Sequence, residues 1–260
     1  MSMNRRRFLK HVTALGVLGA SSIGASLSLQ GALPSVYGDS MSIPPLTNPV
    51  TIDGKWTTAT EWTDGYEMPS PACNWRLKYD TDSLYVLSDF FGVNESFPTG
   101  YDAAWVYIDT LGNGGSVPDK DDYAFSIQPS LSNSLVMEQG TGSDWSIVAP
   151  NFKGASSVDP SNDPYGSSPH PIYEFKIPMS IFPANVKSAK MRLSTEAPFQ
   201  GWYDWPIYSD RSDPSTWGDV EFSSTPIPEF SEPALVPLIT LGLPLYVLSR
   251  YRKRRQSIAP

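Results

Sequence analysis

From Pro44 to Thr225 the chain alternates short apolar runs with clusters of Gly, Pro, Asn and Asp, and no segment keeps a helical period for more than a turn or two. The clearest runs are Asn74–Tyr79, Ser83–Phe90, Ala103–Asp109, Asp122–Gln128, Leu135–Glu138, Trp145–Val148, Ile172–Ile177 and Lys190–Thr195. Each is strand-length and bounded by turn formers, a spacing that predicts an all-β fold of antiparallel β-sandwich type. Within Ala103–Asp109, Trp105, Tyr107 and Asp109 share one face and Val106 and Ile108 the other, so one face enters a core. Two stretches, Asn151–Pro171 and Phe199–Trp217, read as long irregular loops. Loops of that length in a compact domain are usually functional, so a site is expected there.

The ends of the chain differ from this middle. Arg5, Arg6, Phe8, Leu9 and Lys10, followed by the mildly apolar stretch 11–29, resemble a twin-arginine export signal, with Asn4 where Ser or Thr is usual. At the other end Pro228-Glu229-Phe230 precedes an apolar run, 234–249, and a basic tail. This arrangement resembles the PEF-CTERM sorting signal of archaeal surface proteins. The organisation expected is a signal peptide and linker at 1–38, a single domain at 39–225 and a hydrophobic tail at 226–260. The resemblances imply a twin-arginine translocase and an archaeosortase as partners. They also imply a membrane or lipid anchor at the C-terminus and a place on the extracellular face of the cell membrane. As a helix the run 234–249 reaches about 24 Å, short of a hydrocarbon core of about 30 Å, and it contains Pro237 and Pro244. A transmembrane helix and a cleaved segment are both open readings of it.

Charge narrows the partners. Removing the nine basic residues of the two ends, together with Glu232, takes the formal charge from −8 to −16. A domain this acidic repels phosphate backbones, which excludes nucleic acid as a partner. Cys73 is the only cysteine, so no intrachain disulfide is available. Asn94-Glu95-Ser96 is one acceptor sequon for glycan.

Three groups of residues carry candidate chemistry. Asp109, Asn113, Asp119, Asp121 and Asp122 crowd a Gly-rich turn, offering the hard oxygen ligands that Ca²⁺ takes. The same composition also suits a solvated acidic hairpin loop. Trp202, Tyr203, Asp204 and Trp205 alternate along one extended segment, so its aromatics cannot all enter one core. Exposed aromatic planes stack on the C–H faces of sugars, which makes this segment the first candidate for glycan contact and Trp75-Arg76 the second. Trp105, inside a strand, is assigned to the core. Enzymatic readings lack support: outside the export segment His170 is the only histidine, no nucleophile-elbow pattern surrounds a serine, and a zinc site would be short of nitrogen and sulfur ligands.

Ile52-Asp53-Gly54-Lys55-Trp56 with Glu61-Trp62, then Leu77–Val86, Asp102–Gly115, Tyr173–Pro178 and Asp213–Val220, resemble in order the segments of family 9 carbohydrate-binding modules and their DOMON-like relatives. The resemblance covers about residues 50–223. It implies a jelly-roll-like β-sandwich, non-catalytic recognition of an extracellular or envelope glycan, and structural calcium, for which Asp53, Asp80 and Asp82 are further candidates. Relatives of the superfamily also imply two alternatives: a structural or adhesive envelope module without sugar binding, and a haem-binding electron-transfer domain using Met137, Met179 or His170.

Overall fold

The computed structural model describes residues 40–70, 72–92, 103–128, 134–197 and 201–224. All of them belong to the compact unit Tyr37–Pro260. The export motif, the sequon at Asn94, the Pro228–Phe230 motif and the apolar run 234–249 lie outside the described residues. Thirteen strands are described: β1 Ser40–Ile43, β2 Tyr66–Pro69, β3 Asn74–Tyr79, β4 Ser83–Asp89, β5 Ala103–Asp109, β6 Asp122–Gln128, β7 Ser134–Gly140, β8 Trp145–Val148, β9 Lys153–Ser157, β10 Ile172–Pro178, β11 Ser188–Ala197, β12 Gly201–Trp205 and β13 Gly218–Phe222. The expected transmembrane helix is corrected: no helix among the described residues is long and apolar enough to cross a membrane.

Two sheets form the sandwich. The larger runs β1-β13-β11-β5-β6-β7-β8, and the smaller runs β2-β3-β4-β10-β9. Strand β11 is long enough to pair along one edge with both β13, through Ser188–Met191, and β12, through Leu193–Ala197. Among the described strands every pairing is antiparallel except β1 with β13, a departure from the purely antiparallel expectation. Between the sheets the inward positions interlock. Leu77, Val86, Phe175 and Ile177 come from the smaller sheet, and Val106, Ile108, Phe125 and Leu193 from the larger, all fully buried. Each side chain of this size contributes roughly 1.5–3 kcal/mol on burial.

A third layer seals the outer face of the smaller sheet. Residues 44–65 cross it as a strap and bury Trp56 and Trp62 against Tyr85, Leu87 and Ile172, with Tyr165 from the loop between β9 and β10. This explains why β3 and β4 are buried on both faces instead of alternating. The strap is pinned by polar groups from the sheet. The Glu174 carboxylate accepts from the backbone N–H of Asp53 (2.8 Å) and Gly54 (2.7 Å) and from Trp62 Nε1 (3.0 Å). Lys78, 0% exposed, donates to Asp64 Oδ1 (2.6 Å), to the Asn48 carbonyl (2.9 Å) and to the Glu61 carbonyl. Gly54 sits at φ +82°, and a Cβ there would lie 2.5 Å from the Ser156 carbonyl carbon, so only glycine lets the strap lie this close to β9.

The two predicted loops are less irregular than their sequences suggest. The first contains β9, and the second contains β12 and a short 3-10 turn, Pro214–Thr216. The β9 sequence, Lys-Gly-Ala-Ser-Ser, lacks a large apolar residue because the Ile127 and Leu135 side chains fill the space a Cβ on Gly154 would need. An alternation search cannot find such a strand.

Candidate functional site

Strand β12 stands at the edge of the larger sheet, and pleating sends its side chains to opposite sides. Tyr203 and Trp205 turn inward: Trp205 is buried, and Tyr203 meets Phe90 edge-on at 5.1 Å. Trp202 and Asp204 turn outward. Trp202 remains 53% exposed, with its ring 5.2 Å from that of Trp105. Trp105 is therefore half-buried on the outer face and not in the core, because its inward neighbours Ala104 and Val106 fill that side.

Beside β12 a cleft of about 360 Å³ opens toward β2 and β3 of the smaller sheet. Met68, Trp75, Tyr203 and Trp205 line it, and Trp202, Ile207 and Tyr208 form its rim, with Ser70 and Asp204 as polar side chains. The structure thus brings together five of the six residues proposed for sugar contact. Arg76 is the exception. As the neighbour of Trp75 in β3 it points to the opposite face and is held in the third layer by the Trp62 carbonyl (3.1 Å), Glu67 Oε2 (2.7 Å) and the Tyr165 hydroxyl. Asp204 receives Arg192 Nη2 at 2.8 Å and Ser194 Oγ at 2.6 Å. Tyr208 escaped the sequence reading. It is 95% exposed and adopts φ +70°, an uncommon conformation for an aromatic residue, and its only sequence signal was a position just after the Trp-Pro pair.

The acidic turn is drawn together at the end of β5 and the start of β6. Asp109, Asp121 and Asp122 place one carboxylate oxygen each within 4.8 Å of the others. Asp109 is fixed by the backbone N–H of Gly112 and of Gly114, each at 2.7 Å. Asp122 Oδ2 accepts from the Asp119 N–H at 2.7 Å, whereas its Oδ1 is buried with no hydrogen-bond partner. Asn113 Nδ2 reaches Asp121 Oδ2 at 3.4 Å, and Asp119 Oδ1 receives the Asp121 N–H at 3.2 Å. Burial, with the neighbouring carboxylates adding to it, pushes Asp121 and Asp122 each up to about 7. Such a cluster of oxygen ligands could coordinate a metal ion. Asp80 instead caps the β3–β4 turn through the N–H groups of Asp82 and Ser83, Asp53 bonds the Lys55 N–H and the Thr57 hydroxyl, and neither they nor Asp82 join a metal-like cluster among the described residues.

A second cluster was not expected. Asp89 at the end of β4, Asp163 in the loop before β10, and His170 converge in the third layer, again with ligand atoms within 4.8 Å of one another. Burial opposes a charged imidazole here, but the hydrogen bonds to Asp163 and Asp89 outweigh it and push His170 up to about 10. Met137, one of the candidate haem ligands, lies in the sandwich core among Phe125 and its neighbours, a different layer from His170.

Comparison with known proteins gives a distant match. The match is to two solved carbohydrate-binding modules, the first in complex with cellotriose and the second with glucose. The first, of family 9 from Caldicellulosiruptor kristjanssonii, superposes with a TM-score of 0.49 at 15% identity, covering 75% of this chain and 98% of the module. The module of the same family and organism in complex with glucose gives 0.49 at 14% identity, covering 70% and 96%. No family model matches the chain, and no curated protein matches it.

Proposed function

We propose that this domain is a non-catalytic recognition module, exported from the cell, that binds a glycan in the cleft between β12 and the β2–β3 edge. The observation that carries this reading is the arrangement of the cleft: an aromatic floor of Trp75, Tyr203 and Trp205 beneath the exposed rings of Trp202 and Tyr208. Sugar rings offer apolar C–H faces to such planes and hydroxyls to polar groups at the edges. Among the described residues Asp204 is the one acidic side chain lining the cleft, and Arg192 and Ser194 engage it, which suits hydrogen bonding to hydroxyls better than proton transfer.

Calcium belongs to the same proposal, in the Asp109–Asp122 turn. The donor set is oxygen throughout, and among the described residues the buried Asp122 Oδ1 has no donor to satisfy it, so a hard cation fits both the chemistry and the orphaned atom. The residues that would hold it are Asp109, Asp121 and Asp122, with Asn113 and Asp119 beside them. The ion would offset the repulsion among these acids and stiffen the turn. That turn touches the 3-10 turn after the cleft, where the Ser215 N–H donates to the Gly115 carbonyl at 3.0 Å.

The test is a broad glycan array probed with the full chain in the presence of Ca²⁺, followed by titration of any hit against Trp202→Ala and Tyr208→Ala. Loss of about 2 kcal/mol, or roughly 30-fold in affinity, is expected for Trp202→Ala. Absence of any glycan ligand for the folded protein, or affinity unchanged in both variants, refutes the assignment and leaves a structural envelope module.

A further inference from the structure

The second cluster is built differently from the acidic turn. His170 Nδ1 lies 2.7 Å from the Ser168 carbonyl oxygen. A carbonyl can only accept, so Nδ1 carries a proton and Nε2 is left facing two carboxylates, Asp89 Oδ1 at 2.8 Å and Asp163 Oδ2 at 3.1 Å. The other oxygen of each acid is held from outside the cluster: Asp89 Oδ2 accepts from Trp56 Nε1 of the strap at 3.0 Å, and Asp163 Oδ1 from the Tyr165 N–H at 2.8 Å. Asp163 Oδ2, the oxygen facing His170, also accepts from the Gly166 N–H at 3.0 Å. One nitrogen and one oxygen from each acid therefore converge, and every group is oriented by a partner behind it. A backbone carbonyl behind the histidine is the usual outer-shell support of a metal-bound imidazole.

Charge points the same way. Two carboxylates and an imidazolium sum to −1, with Asp89 and His170 both almost wholly buried. Two carboxylates, a neutral imidazole and a divalent cation sum to zero. The imidazole nitrogen disfavours Ca²⁺, which takes oxygen ligands, and suits a first-row transition ion.

We propose that Asp89, Asp163 and His170 bind a divalent transition-metal ion of the zinc or cobalt class, distinct from the calcium proposed at the acidic turn. The ion replaces the Nε2 proton and clasps the end of β4 to the loop before β10, with the strap held to the same point through Trp56. The zinc reading that a single histidine could not support is restored by Asp163 in the same loop and by Asp89, brought in from β4.

The experiment uses the full chain, stripped with EDTA, returned to excess Ca²⁺ to saturate oxygen-only sites, and titrated with Co²⁺ or Zn²⁺ alone. One equivalent of Co²⁺ retained with a visible d–d absorption band is expected, weakened by about 100-fold or more in His170→Asn and in Asp163→Asn. Should either variant fail to fold, ¹⁵N spectra of the wild-type imidazole decide. Zn²⁺ must displace the proton from Nε2 while Nδ1 keeps its own. Failure of the folded protein to retain either ion, binding indifferent to both substitutions, or a His170 that stays doubly protonated at saturating Zn²⁺ overturns the proposal.

Discussion

Replacing Lys78 by Met isolates what the strap costs to hold in place. The ammonium is completely buried and bonded to Asp64 and two backbone carbonyls, and Asp64 is itself 4% exposed. Methionine matches the volume but leaves the Asp64 carboxylate without its cation. Removing one partner of a buried pair costs about 3–5 kcal/mol. The lower end applies, because Asp64 Oδ2 retains donors from the Thr47 N–H (2.6 Å), the Thr47 hydroxyl (2.8 Å) and the Asn48 N–H (2.7 Å). With a urea m-value near 2 kcal/mol/M, a loss of about 3 kcal/mol lowers the midpoint by about 1.5 M. The pH dependence supplies an independent check. In the wild type burial works against the Asp64 carboxylate, but hydrogen bonds from Lys78, Asn48 and Thr47 outweigh it and hold Asp64 below its usual value. Its contribution is therefore present above pH 3.8 and lost as pH falls through the lowered value. Without Lys78 burial gains weight, Asp64 moves upward, and the variant loses stability as pH rises. The difference between the two proteins must accordingly grow from acid to neutral pH. A loss under about 1 kcal/mol, or a difference that shrinks with rising pH, refutes this account of the third layer.

Three further outcomes follow from the same structure. Burial pushes Glu174 up to about 8, so its contribution is complete below pH 4.5 and lost as pH rises toward 8; thermal melts across that range should show this slope, flattened in Glu174→Gln. Gly54→Ala combines the left-handed conformation with overlap against the Ser156 backbone, and should destabilise by more than about 2 kcal/mol in urea titration. Chelation by EGTA should lower the melting midpoint and added Ca²⁺ restore it, by about 2.7 kcal/mol at a hundred times the dissociation constant. Asp122→Asn should abolish that response while raising the calcium-free midpoint.

Alternation made the middle strands legible. β3, β5 and β6 begin and end where the apolar runs predict, because their inward positions carry large side chains. Strands β1, β2, β9, β12 and β13 are short, and β9 presents glycine where its neighbours supply the bulk, so composition hides them. The cleft was readable in part. Pleating within Gly201–Trp205 separates Trp202 from Trp205, and the same rule applied to Trp75-Arg76 would have turned Arg76 away from Trp75. The Asp89–His170 contact was hidden for another reason. It arises from strand register, with Ile172 opposite Asp89, and no local pattern encodes which strands become neighbours.

The parallel pairing of β1 with β13 gives the fold an order of completion. Ser40 to Ile43 lie beside Asp219 to Phe222, and the Ser223 N–H donates to the Ile43 carbonyl at 2.8 Å, so the first described strand is matched by the last. Among the described strands β1 has no other to pair with, so a chain still being synthesised leaves it unpaired until β13 emerges, since β13 stands between β1 and β11. Contacts this distant in sequence form slowly and late. A nascent or truncated chain ending before Gly218 leaves Ser188–Met191 of β11 without their neighbour, and the arrival of five residues moves the open edge of the larger sheet outward from β11 to β1.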